Sequence, residues 1–482
     1  MERSLGMKLH RNWLAIMAMI TVVLTLVTAA VYADGGTWTT SLQVQNLGTG
    51  PAYISIEYYD QDGNEITDAR QTFTDVAPGA SINVYHGGLA DLPDGFIGSA
   101  VVSSDQPIAS IGNEIAVYGT TSGNSSYSAV SEPGDVVYAP LAMKKYGGSQ
   151  WSTQLAVQNT GAASTTVTIQ YYDSSGNLVS GATESLSIEG YGSALFNQLD
   201  NTGLTDGFIG SAKISAASAS DTIAVVVNEI AGTRLVTYNG FYEGATEVYL
   251  PLVMLHYGGS DWVTSFQVMN LGSSSANVTF EYYAQGATTP MKTVNYDGAD
   301  NPLIPSMAAI NRYQPGVDTD LGAGFIGSVK VISNNSQPLV AIGNESTLGA
   351  GKSSSTSYNG FGGGSTEVNL PLIMLNYGAS NWVTSFQVMN VGSADANVTI
   401  EYYAQGASTP TKTVNYDGVS NPLIKPMNTI NRYQPGVDTD LGAGFIGSVK
   451  IISNNSQSLV AIGNESALGR SGDVSTTYGG LW

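Results

Sequence analysis

Paired aspartates just ahead of a Gly-Phe segment are the residues in this chain best placed for chemistry. Asp318-Thr-Asp320 and Asp438-Thr-Asp440 have this form, and Asp91 with Asp94 and Asp200 with Asp206 occupy similar places earlier in the chain. Carboxylates two residues apart in a loop, helped by loop carbonyls, supply the oxygens that a hard cation requires. Calcium held by Asp318, Asp320, Asp438 and Asp440 is therefore one expectation, although Asp before Gly also makes ordinary turns. No run has the full spacing of a helix–loop–helix calcium site. A second candidate chemistry is aromatic stacking. Tyr59, Tyr172, Tyr283 and Tyr403 fall on the outward phase of their strands. Outward rings such as Tyr283 and Tyr403 can stack on a glycan or on a neighbouring domain.

Other chemistry is poorly provided for. Beyond the leader the chain has two histidines, His86 and His256, at non-equivalent places; the counterparts of His256 are Lys145 and Asn376. A duplicated active site does not normally lose its base in this way. There is no Gly-x-Ser-x-Gly elbow, no His-Glu-x-x-His and no phosphate loop. With no cysteine, thiol catalysis and thiolate-bound zinc are excluded. The expectation is a protein that is not an enzyme and that has no cofactor other than calcium.

The elements that must position these residues come in four copies. Trp38 to Asn46, Trp151 to Asn159, Trp262 to Asn270 and Trp382 to Asn390 carry one phrase, at spacings of 113, 111 and 120 residues. A Tyr-Tyr pair, a Gly-Phe-Ile-Gly-Ser segment and an Asn-Glu pair follow in each copy. A unit of this length can bury a core of its own. Trp38, Thr40, Leu42 and Val44 alternate with Thr39, Ser41, Gln43 and Gln45, the period-two pattern of a half-buried strand. In the third copy this reading gives strands at 247–254, 262–270, 276–284, 291–296, 307–313, 324–333, 338–345 and 353–359. Turns such as Asp60-Gln-Asp-Gly-Asn64 punctuate them. The fold class expected is all-β: four tandem antiparallel β-sandwiches of immunoglobulin-like architecture, behind an N-terminal signal segment. The boundaries read as 1–33, 34–135, 136–245, 246–365 and 366–482. Copies three and four are identical at 84 of 104 positions from Thr246 and Thr366. Short Gly-rich linkers, such as Asn239 to Ala245, suggest an extended array. The recurring tryptophans are expected to plug the sandwich ends.

One segment recurs only three times. Tyr138 to Gly147, Tyr249 to Gly258 and Asn369 to Gly378 precede copies two to four, and copy one has no equivalent. One end of the chain should therefore offer an unfilled sheet edge, and such edges recruit strands from other chains. Head-to-tail association by strand complementation follows as an expectation.

Residues 1–33 look like a secretory leader. Arg3, Lys8 and Arg11 lead an apolar run from Trp13 to Val31, and small residues allow cleavage before Asp34. The run is also long enough to serve as an uncleaved anchor, and no later stretch could span a membrane. The net charge is −21, which disfavours nucleic acid and anionic membrane surfaces as partners. Without disulfides, each exported unit must stand on its own core.

Leu250-Pro-Leu-Val-Met254, Tyr257-Gly-Gly259, Trp262 to Asn270, Glu281-Tyr-Tyr283, Gly324-Phe-Ile-Gly-Ser328 and Asn344 together resemble the repeat units of exported bacterial surface proteins, loosely of Chloroflexi-like and actinobacterial type. The resemblance spans nearly all of residues 34–482 and implies a secreted or cell-surface β-sandwich array, with no functional residues to carry across. The expected function is a non-enzymatic structural, filament, surface-layer or adhesive protein of the cell envelope. Its expected partners are other copies of itself or wall components. The alternative is a secreted carbohydrate-binding protein using outward Tyr and loop Asp residues.

Overall fold

The computed structural model describes residues 19–23, 37–118, 121–349, 354–472 and 474–482. Its strands fall into eight positions per unit, numbered here on unit 1: β1 Met19–Val23, β2 Thr37–Asn46, β3 Ala52–Asp60, β4 Gln71–Val76, β5 Ser81–Tyr85, β6 Gly98–Ser104, β7 Ile108–Tyr118 and β8 Thr121–Ser128. Units 2, 3 and 4 repeat this order. In unit 3 the strands are Glu247–Leu255, Trp262–Asn270, Val278–Ala284, Lys292–Tyr296, Ala309–Tyr313, Phe325–Ser333, Leu339–Thr347 and Ser355–Asn359, each within a few residues of the range read from alternation.

Each unit is a sandwich of two antiparallel sheets, ordered β1-β6-β3-β4 and β5-β2-β7-β8. The inward phase of both sheets makes the core. In unit 3 it includes Phe266, Val268, Phe280, Tyr282, Val329 and Val331, all fully buried. The glycine that closes Gly-Phe-Ile-Gly explains why that segment accompanies the Tyr-Tyr pair. A Cβ on Gly327 would lie 2.0 Å from the carbonyl oxygen of Tyr283, and one on Gly98 would lie 2.0 Å from that of Tyr59. Only glycine lets the two backbones approach this closely.

The segment that recurs three times proves to be β1 of its own unit. Val136–Lys144, Glu247–Leu255 and Glu367–Leu375 each pair with β6 of the unit they open. In unit 1 that place is taken by Met19–Val23, which pairs with β6 from Met19↔Ser104 to Val23↔Ala100. These residues lie inside the apolar run read as a leader. The cleavage site before Asp34 falls outside the described residues. No helix among the described residues is long and apolar enough to cross a membrane.

The extended array expected from the linkers does not form, because the units lock face to face and the last meets the first. The β8 strands of the four units lie side by side around a common centre: unit 1 against unit 2, 2 against 3, 3 against 4, and 4 against 1. A short parallel pairing of Ser471–Gly472 with Thr121–Ser122 joins the last unit to the first. The chain is a closed ring of four sandwiches.

Candidate functional site: the interfaces that close the ring

Four equivalent hydroxyls lock the ring. The serine of each Gly-Phe-Ile-Gly-Ser segment donates to a carbonyl of the next unit: Ser99 to Tyr191 at 3.4 Å, Ser211 to Met307 at 2.7 Å, Ser328 to Met427 at 3.0 Å, and Ser448 to Gly79 at 2.7 Å. All four acceptor residues sit in a turn with positive φ, at +61°, +63°, +62° and +78° respectively. The left-handed conformation swings the carbonyl out of its own sheet towards the neighbour. The four positions hold Tyr, Met, Met and Gly, because the serine bond needs only the backbone carbonyl.

The paired tyrosines pack beside this lock. Tyr59 stacks on Tyr191 of unit 2, with centroids 5.1 Å apart. A Cβ on Gly79 would come within 2.8 Å of the Tyr403 ring, so glycine there makes room for unit 4. Tyr283 lies opposite Ser328 in register. Tyr283 and Tyr403 are 6% and 9% exposed, and their hydroxyls donate to Glu281 and Glu401 at 2.7 Å. Tyr59 and Tyr403, on the outward phase of their strands, thus face the adjoining unit.

Nearer the centre, the Asn-Glu pairs form a second set of links. Glu114, Glu229, Glu345 and Glu465 are essentially inaccessible to water. Asn344 of unit 3 donates its amide to both carboxyl oxygens of Glu229 of unit 2, at 3.2 and 3.0 Å. Thr237 of unit 2 approaches Glu114 of unit 1 at 3.5 Å. Three of the four asparagines are oriented by a hydroxyl of their own β8: Ser126 to Asn113 at 2.7 Å, Thr237 to Asn228 at 2.7 Å, and Ser357 to Asn344 at 2.8 Å. Burial raises all four glutamate carboxyls to about 8. At neutral pH they are mostly protonated, and thus uncharged hydrogen-bonding groups. The glycine before Asn113, Asn344 and Asn464 leaves space for a fully buried tyrosine; a Cβ on Gly343 would lie 2.5 Å from the Tyr358 ring.

The predicted cation ligands are engaged differently. Asp318 is fully buried and takes hydrogen bonds from Arg312, from Tyr282 at 2.8 Å and from Lys292 at 2.8 Å. Asp320 is exposed and pairs with Lys292. Asp438 and Asp440 repeat this with Arg432, Tyr402 and Lys412. Burial alone would raise the Asp438 carboxyl, but hydrogen bonds from Arg432 and Lys412 hold it below the usual range. Each pair thus faces two cationic side chains, and among the described residues no cluster of three or more His, Cys, Asp or Glu is placed to hold a metal. His86 is buried edge-on against Tyr58, and burial lowers its imidazole to about 4. His256 pairs with Asp261 at the surface.

The tryptophans only partly fit the role of end plugs. Trp38 is buried against Ala116 and, across the interface, Leu235. Trp151, Trp262 and Trp382 are half-buried, each packing one side on its unit's core. Trp151 and Trp382 also line clefts between units.

No protein-family model matches the chain, and no curated protein matches it. Among solved structures, the crystal structure of Thermotoga maritima 1070 aligns with 23% of this chain and 97% of its own, at 15% identity and a TM-score of 0.19. The pilus adhesin SpaC from Lactobacillus rhamnosus GG aligns over 92% of this chain and 56% of its own, at 12% identity and a TM-score of 0.12. The serine-rich repeat adhesion glycoprotein Srr1 from Streptococcus agalactiae aligns over 77% of this chain and 88% of its own, at 9% identity and a TM-score of 0.12.

Proposed function

We propose that this chain is a non-enzymatic exported protein of the cell envelope, a closed ring that works as a structural or adhesive element. One observation carries the reading. The Gly-Phe-Ile-Gly-Ser, Tyr-Tyr and Asn-Glu segments recur in every unit; the serine joins units at all four interfaces, and the tyrosine and the glutamate each do so at two. Repeated residues of a repeated enzyme would converge on a reacting centre. Here the repetition supports a shape.

Assembly with other chains would work through unit 1. In units 2 to 4 the β1 position is filled by a Pro-Leu segment from the mature part of the chain. In unit 1 the filler comes from the apolar leader. Cleavage before Asp34 would remove it and leave β6 with an open edge, a site for a donated strand. The three internal strands already engage their own units, so the donor would be a partner's strand of the same Leu-Pro-Leu-apolar-Met pattern. The test is to add a peptide of residues 249–258 to a chain beginning at Asp34. The reading expects binding of one peptide per chain and a higher melting temperature. An unchanged melting curve with no bound peptide would remove strand donation from the account. Labelling the native cell surface with an antibody to units 3 and 4 tests the location.

A further inference from the structure

Two clefts between units have the same construction. One lies between units 2 and 3 with a volume near 420 Å³, and one between units 4 and 1 with a volume near 270 Å³. Equivalent positions line both. The apolar wall is Trp151, Met143 and Ile209 in the first cleft and Trp382, Met374 and Ile446 in the second. Facing it from the next unit are Asn311 and Tyr313 in the first, and Asn83 and Tyr85 in the second. Tyr313 and Tyr85 are 44% and 52% exposed. Glu345 lines the first cleft and Glu114 the second; both are buried, and each has one carboxyl oxygen with no hydrogen-bond partner. Buried polar atoms are normally paired, and this unpaired oxygen recurs at the same place in both clefts.

We infer that these paired clefts bind a neutral carbohydrate, one sugar ring in each, with its C–H face against the wall of tryptophan, methionine and isoleucine and its hydroxyls on the asparagine and glutamate; in the first cleft Arg234 lies over the Trp151 ring at 4.6 Å, so Met143 and Ile209 carry the apolar contact there. An aromatic and aliphatic wall opposite amide and carboxyl groups matches a ring that is apolar on its faces and polar at its edge. The clefts are near the lower end of the range of about 300–1,000 Å³ for ligand sites, which suits one or two sugar units. Cationic ligands are disfavoured because the carboxyls at the back are uncharged at neutral pH, their burial having raised them to about 8. Anionic glycans are disfavoured by the chain's charge of −21. The unit 1–2 interface lacks this opening at its tryptophan, since Trp38 is packed against Leu235. The inference is separate from the proposed structural role, and either can fail alone.

The test titrates the chain starting at Asp34 with neutral tetrasaccharides of β-1,4-glucose, β-1,4-N-acetylglucosamine and α-1,4-glucose, followed by tryptophan fluorescence and calorimetry, and screens it on a neutral glycan array. The expected result is binding at two sites per chain. The double variant Tyr85→Ala/Tyr313→Ala should weaken it at least tenfold with its melting temperature kept. Glu114→Gln/Glu345→Gln, which keeps hydrogen bonding at these positions, should weaken it less. Absence of binding to every probe, or binding untouched by the tyrosine pair, would overturn the assignment.

Discussion

Ser448 and Gly79 stand 369 residues apart in the chain, and the hydroxyl of the first donates to the carbonyl of the second at 2.7 Å. The same bond joins Ser99 to Tyr191, Ser211 to Met307 and Ser328 to Met427. The contact between the last unit and the first is thus one of four equivalents. Removing the Ser448 hydroxyl by Ser448→Ala should cost about 1 kcal/mol and speed amide exchange around Gly79. Gly79→Ala should cost more, about 1–3 kcal/mol, since it adds a Cβ against Tyr403 at a φ of +78°. Calorimetry and hydrogen exchange on both variants check the order.

The four central glutamates give the ring a pH dependence of definite sign. Their folded carboxyls titrate near 8 against an ordinary value of 4.5. Between those values the folded state holds protons that the unfolded state has released, so stability falls as pH rises. Below about 4.5 both states are protonated and the penalty vanishes. Melting temperature should therefore be higher at pH 5 than at pH 9. Glu345→Gln, which is uncharged at every pH, should narrow that gap; an unchanged gap would contradict the assignment.

The ionic cores of units 3 and 4 make a separate prediction. Arg312→Met leaves Asp318 buried beside Tyr282 with only Lys292 as a cationic partner. Breaking a buried pair in this way typically costs about 3–5 kcal/mol. Arg312→Met with Asp318→Leu should recover much of the loss. Because these carboxylates already face cations, neither calcium nor a chelator should move the melting temperature by more than about a degree, the effect expected of an unbound ion. A calcium-dependent rise in differential scanning calorimetry would restore Asp318, Asp320, Asp438 and Asp440 as a metal site.

Gly327→Ala tests why two motifs travel together. Its Cβ would sit 2.0 Å from the Tyr283 carbonyl oxygen, inside any tolerable contact. Unit 3 should lose several kcal/mol, on the scale of about 1–3 for ordinary overpacking and beyond. Limited proteolysis should then cut between residues 246 and 365 before it cuts elsewhere.

The strands were legible because one face of each must be apolar, and alternation such as Trp38, Thr40, Leu42 and Val44 records that directly. The ring was not legible, and the reason is physical. Its acceptors are the backbone carbonyls of Gly79, Tyr191, Met307 and Met427, which share a conformation but have no side chain common to all four. Its donors, such as Ser328, look like any polar residue on an outward strand face. The available signal was repetition on the wrong face: solvent does not require Ser, Tyr and Glu at equivalent outward positions, whereas a neighbouring unit does. The aspartates were ambiguous, because carboxylates near a turn look alike in sequence whether they await a cation or already hold an arginine. Arg312, six residues before Asp318, was the clue.

The claim on which the rest depends is that the units close into a ring, and small-angle X-ray scattering of the chain beginning at Asp34 tests it most directly. A compact body of this size should give a radius of gyration of about 22 Å, with a smooth single-peaked distance distribution. A radius roughly twice that, with a long tail in the distribution, would show four units strung out in a line and would contradict the account.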